Sequence, residues 1–181
     1  STSEQVGLFS VALKIALLTS FFLQITISTL SPKIATLYGD NKMLELQIMV
    51  QKVTRALAVV GLIVIIFIAF LGQFLLSIWG DQFIAAYLIL LILSFGQFFN
   101  IASGPVGNLL MMTGYEKILR NITLITVFLN IILNYFLIKE FDAVGAAIAT
   151  ATTIALNMII SSYYVYRKIG FTPFSFKLKI S

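Results

Sequence analysis

The residues of this chain that could do chemistry are neutral amides and hydroxyls set inside long apolar runs, with one lysine among them. At about 100° per residue they fall into stripes on helical faces. In the first run Ser10, Lys14, Gln24, Ser28 and Ser31 align, and in the third Gln97, Asn100, Gly104, Gly107 and Asn108. The fourth run aligns Thr123, Thr126, Asn130 and Asn134; the fifth aligns Ala146, Thr150, Thr153, Asn157, Ser161 and Tyr164. The second is nearly bare of polar groups between Arg55 and Gln73. Two readings fit such stripes. In one, small residues and interhelical hydrogen bonds of about 1 kcal/mol each hold helices together. In the other, the stripes face a water-accessible cavity that passes something polar.

Helix packing is the expectation for the Ser, Thr and Ala positions of the fifth run, because small-residue faces are typical of membrane helix contacts. Gln24, Gln97, Asn100, Asn108 and Asn130 are the neutral candidates for lining a cavity. Lys14 joins them. It lies about two turns inside its run, where an ionised group costs roughly 2.5–3.5 kcal/mol on insertion scales, and such residues usually face a bundle interior. Facing a cavity, it would suit a phosphate or carboxylate. Its four-carbon stem also allows the other reading, snorkelling to the headgroups.

Chemistry beyond hydrogen bonding is scarce. The chain has no Cys and no His, so thiolate chemistry, disulfides and imidazole acid/base work have no residues to use. The seven acids, Glu4, Asp40, Glu45, Asp81, Glu116, Glu140 and Asp142, all map to connections or ends of the apolar runs. There is no intramembrane acid pair for a proton relay and no Gly-rich phosphate loop. No catalytic residue, metal site or cofactor is expected, and the chain does not read as an enzyme.

The elements that must position these residues are five apolar segments, roughly 6–30, 56–78, 83–112, 118–138 and 143–166. A helix of about 20 mostly apolar residues spans a bilayer core of about 30 Å, and only helices and closed barrels satisfy their backbone there. The chain is 60% hydrophobic and 10% charged, with mean hydropathy +1.03. Soluble domains carry about a quarter charged residues. The reading is an all-α membrane protein with five transmembrane helices in one domain. Its spans are expected near 6–37, 45–78, 83–113, 116–138 and 143–167, with a cytoplasmic tail over 168–181. Residues 42–55 look like an amphipathic helix leading into the second span. Pro32, Gly104 and Pro105 are the expected helix breaks.

The net charge of +5 does not point to nucleic acid, because the cations sit at segment ends rather than on one face among aromatics. Ten of the twelve, including Lys52, Arg55, Lys117 and Arg120 as a cationic rim, fall on alternate connections and the tail. Lys139 lies on the opposite side and Lys14 within a span. The positive-inside rule places the N-terminus outside and the C-terminus in the cytoplasm of a multi-pass plasma or inner membrane protein. Trp79, Tyr163, Tyr164 and Tyr166 lie at span ends, where interfacial aromatics belong. With a polar, slightly acidic lead over Ser1–Gln5, no signal peptide and no initiator Met, the chain is expected to be a piece of a longer protein.

Several short patterns, in order over nearly the whole chain, resemble one family. Val6-Gly7-Leu8-Phe9-Ser10-Val11-Ala12 followed by Ser31-Pro32-Lys33-Ile34-Ala35-Thr36-Leu37-Tyr38 is similar to the opening pattern of the polysaccharide flippases, the Wzx-like relatives of the MATE drug exporters. Leu76–Phe83 with its Trp79-Gly80 turn, Thr113-Gly114-Tyr115-Glu116-Lys117, the Asn130/Asn134 pair, and Val144-Gly145-Ala146-Ala147-Ile148-Ala149-Thr150 resemble later elements of the same family. The resemblance implies twelve or more helices in two pseudo-symmetric lobes around a central cavity. This chain would supply most of the C-terminal lobe, and the N-terminal lobe of the same protein would be its partner. It further implies alternating access and a lipid-linked oligosaccharide, a repeat unit for O-antigen, capsule or exopolysaccharide, carried from the cytoplasmic to the outer leaflet. Membrane lipids are the other implied partners. A cation-coupled MATE-type multidrug exporter on the same fold and a non-transporting membrane scaffold subunit are the alternatives.

Overall fold

The computed structural model describes residues 3–174, with Phe22 as backbone alone. Ser1, Thr2 and the tail beyond Phe174, with Lys177 and Lys179, lie outside the described residues. The described residues are helical throughout, with no strand. Their order is α1 (Ser3–Leu18), α2 (Phe21–Gly39), α3 (Met43–Ser77), a 3₁₀ turn (Asp81–Ala86), α4 (Tyr87–Ala102), α5 (Val106–Met112) and α6 (Glu116–Ile169).

The first span is two helices rather than one. Leu18 ends α1, Phe21 begins α2, and the pair is bent by 46°. The break falls at Thr19-Ser20, not at the expected Pro32, which sits inside an unbroken α2. A proline removes only its own N–H from the ladder, and in a bilayer abandoning the neighbouring bonds as well would cost more. Thr19 has a competing acceptor: its hydroxyl donates to the Ala16 carbonyl at 2.5 Å.

α3 runs unbroken from Met43 to Ser77, so the amphipathic 42–55 segment continues into the apolar stretch without a break. Its buried residues Leu46, Val50, Thr54, Leu57, Gly61, Ile68, Gly72 and Leu76 recur at steps of three, four and seven residues, one face of a helix. The opposite face exposes Ile63, Phe67, Phe70 and Phe74, as suits a helix side turned to acyl chains.

Ser103-Gly104-Pro105 divides the third span into α4 and α5, as the sequence leads one to expect. Gly104 has φ +68° and faces α3 so closely that a Cβ there would lie 2.2 Å from Thr54 Oγ1. A left-handed backbone and a neighbour inside contact distance both require glycine here.

The last two spans form one helical run of 54 residues that doubles back at Asp142, where φ is 46° and ψ −128°. A straight helix would separate residues 31 positions apart by about 46 Å. Yet the Asn157 amide reaches Thr126 Oγ1 at 2.9 Å across that interval. The two arms are therefore an antiparallel hairpin that places Thr126 beside Asn157, Asn130 beside Thr153 and Leu137–Ile138 beside Gly145. Four spanning units by length and apolarity, counting the bent α1–α2 pair as one, become five passes because α6 crosses twice.

α4 lies at the centre, packed on α1, α3 and α6. Its Gly96 sits against Ala151 of α6, where a Cβ would come within 2.7 Å of the Ala151 Cα. Lipid tails are as apolar as leucine, so close backbone approach and dispersion drive such contacts. Three buried clusters follow the bundle axis. Leu8, Ile15, Ile68, Leu90 and Ala147 are in one, Leu23, Leu57 and Ile101 in a small middle one. Ile34, Leu46, Val50, Leu110, Val165 and Phe171 are in the third.

Candidate functional site: a neutral polar groove

The α6 hairpin carries a polar ladder between its arms. Asn157 Nδ2 donates to Thr126 Oγ1 at 2.9 Å, and Asn130 Nδ2 donates to Thr153 Oγ1 at 3.0 Å. Asn134 Nδ2 donates back to Asn130, to its side-chain oxygen at 3.0 Å and its carbonyl at 2.8 Å. Four-residue steps on antiparallel helices keep these groups on one seam. Each carboxamide carries two N–H donors and two acceptor lone pairs, so the cross-arm bonds orient the amides without exhausting them.

The seam opens into two clefts. One, of about 400 Å³, is lined by Asn100 of α4 with Thr123, Thr126, Asn130, Thr153 and Asn157 among others. A second, of about 350 Å³, is lined by Gln5 and Phe9 of α1 with Asn130, Asn134, Ile138 and Asp142 among others. Asn130 and Thr150 line both, so the clefts meet there. From Thr123 to Ile138 the combined groove runs about 23 Å along the helix, most of a bilayer core. Its lining is amides, hydroxyls and apolar side chains, and among the described residues Asp142 at one end is its only ionisable group.

The sequence candidates separate into distinct places. Asn100 and Asn130 meet at this groove. Gln97 does not line it: it is buried behind Asn100, accepting hydrogen bonds from Ser20 Oγ at 2.5 Å and Asn100 Nδ2 at 3.2 Å. Asn108 is buried too, its amide donating to Ser31 Oγ at 2.9 Å to tie α5 to α2. Gln24 is exposed on α2. Lys14 is exposed and has no hydrogen bond or ion pair among the described residues. At 100° per residue it projects about 130° around α1 from the groove-lining Gln5, Val6 and Phe9.

Asn134, Asn157 and Thr153 line the groove although the sequence argument did not single them out. The signal was present, since they share stripes with Asn130 and Thr150. Hydroxyl and amide contacts between the arms and a polar lining turn out to be the same residues.

The basic residues gather where the hairpin arms end. Lys117 and Arg120 open α6, Arg167 and Lys168 close it, and antiparallel arms bring both ends together. Lys52, Lys117 and Arg120 are exposed, Arg55 half-buried. Gln51 of α3 donates to the Thr172 carbonyl at 2.9 Å, and Tyr115 contacts the Lys168 carbonyl, placing the start of α3 at that end. Glu4, Gln82 and Phe83 line a small cleft at the other end, near the Asp142 turn. Charge asymmetry and topology thus coincide.

These features define a multi-pass, all-α membrane protein whose last two passes form a hairpin with a polar seam. The chain belongs to the MatE family, whose family model matches residues 2–136. It is similar to the capsular polysaccharide biosynthesis protein CapF of Staphylococcus aureus, 30% identical over 165 residues, covering 91% of this chain and 41% of that protein. It is also similar to the probable low-salt glycan biosynthesis flippase Agl15 of Haloferax volcanii, 26% identical over 165 residues, 91% of this chain and 35% of that one. The chain therefore spans less than half the length of these curated relatives. No solved structure matches it.

Proposed function

We propose that this chain forms one lobe wall of a flippase for glycan biosynthesis, a transporter rather than an enzyme, that moves a lipid-linked oligosaccharide to the outer leaflet by alternating access. The observation that carries this reading is the groove from Thr123 to Ile138, in which amides and hydroxyls are set among apolar side chains with no charge along that stretch. Sugar hydroxyls both donate and accept, and amides paired with hydroxyls match them. The names of the two relatives support the same class. The basic end faces the cytoplasm on this reading, by the positive-inside rule.

A cation-coupled exporter needs a carboxylate in its pathway, and this groove offers none between Thr123 and Ile138. The test uses full-length protein in a strain whose surface glycan depends on it. Asn130→Leu is expected to lower glycan export while the protein still reaches the membrane, with lipid-linked repeat units accumulating on the cytoplasmic side. Normal export in that variant would remove the groove from the pathway.

A further inference from the structure

At the bend in the first span Ser20 meets a buried side chain of α4 that is itself bonded to a groove-lining residue. Between Gly7 and Pro32 the sequence has neither Gly nor Pro, the usual causes of a sharp kink. At the break the backbone tightens into i→i+3 bonds, Thr19 N–H to the Ala16 carbonyl at 3.2 Å and Ser20 N–H to the Leu17 carbonyl at 2.9 Å. A short 3₁₀ stretch inside a helix often marks a hinge. No residue type there forbids a straight helix; the Thr19 hydroxyl bonds locally to the Ala16 carbonyl, and a tertiary contact adds to it. The tertiary contact available is Ser20 Oγ donating to Gln97 Oε1 at 2.5 Å, both residues being buried.

Gln97 Oε1 has a second donor, Asn100 Nδ2 at 3.2 Å, and Asn100 lines the groove. One oxygen therefore accepts from the hinge on one side and from the groove wall on the other. We propose that Gln97 is a positioning residue that couples occupancy of the groove to the bend between α1 and α2. This rests on the groove being the transport path. A ligand hydroxyl that draws the Asn100 amide away leaves the Gln97 carboxamide with one of its two donors. The carboxamide, no longer held by Asn100, is free to rotate away from α2, and where it does the Ser20 bond lengthens and the span relaxes toward straight.

The experiment is a distance measurement in full-length protein in lipid nanodiscs, with spin labels on cysteines replacing the exposed Glu4 and Thr36 in an otherwise cysteine-free background. Those positions lie about 48 Å apart on a straight helix and about 44 Å apart across a 46° bend. Ser20→Ala and Gln97→Leu are expected to shift the distribution by about 4 Å toward the straight value, and Asn100→Ala to shift it part of the way. Ser20→Ala is the gentler change and stands in should Gln97→Leu fail to fold. An unmoved distribution in Ser20→Ala would show that packing alone sets the bend and overturn the proposal. A shift in Ser20→Ala without one in Asn100→Ala would overturn the coupling. The distances need no substrate: if the unsubstituted protein exports no glycan, the flippase reading falls, while a shift in Ser20→Ala still leaves the hinge contact standing.

Discussion

Asn130 and Thr153 are joined across the fold of α6 by one hydrogen bond, the amide nitrogen donating to the hydroxyl oxygen at 3.0 Å. The same two side chains line the groove that the arms enclose. Structure and proposed function therefore share atoms.

Removing one ladder rung should be cheap in stability. Thr126→Val leaves the Asn157 amide without its partner, and interhelical bonds of this kind average about 0.6 kcal/mol and reach about 1.7. Thr126→Val, Asn157→Val and the double variant, compared by detergent unfolding of full-length protein, should show a coupling energy in that range. Strict additivity would place the bond outside the folded hairpin.

The hairpin register depends on Gly145. A Cβ there would lie 2.1 Å from the Leu137 carbonyl oxygen, a backbone atom with no rotamer to escape through. Gly145→Val should cost about 3 kcal/mol or more and sharply reduce membrane-inserted protein. Gly7→Ala, with nothing within 4 Å of the new methyl, should leave yield unchanged.

The break between α4 and α5 should behave as a packed pair. Gly104→Ala places a methyl against Thr54 Oγ1 and is expected to destabilise the protein. Adding Thr54→Ala removes the hydroxyl and should recover part of the loss. The remainder, about 1 kcal/mol, belongs to the left-handed backbone. No recovery in the double variant would mean that the backbone carries the whole effect.

Orientation can be read by labelling. Gln82→Cys at the 3₁₀ turn should react with a membrane-impermeant thiol reagent in intact cells, and Lys117→Cys only after permeabilisation. The reverse pattern would invert the topology and with it the direction of transport proposed.

That the chain is built of long apolar helices was legible in the sequence, because a bilayer imposes length and apolarity on every segment independently of its neighbours. The break at Gly104-Pro105 was legible for a local reason, a glycine able to hold positive φ. The bend at Thr19-Ser20 was not. Ser20 there donates to Gln97, 77 residues away, and no local pattern distinguishes its hydroxyl from those of Ser28 or Thr29, which bond within their own helix.

The same division runs through the groove. The sequence alone determined that amides and hydroxyls lie on single faces of spans four and five, since helical periodicity decides which side chains share a face. Which stripes meet was decided only by tertiary structure. The reversal at Asp142 sets the register that joins Asn130 to Thr153, and the packing of α4 adds Asn100 while turning Gln97 inward. Periodicity is a property of one helix, whereas register and rotation about the axis arise from contacts between helices, and those contacts determine which polar residues are held inside and which are offered to a ligand.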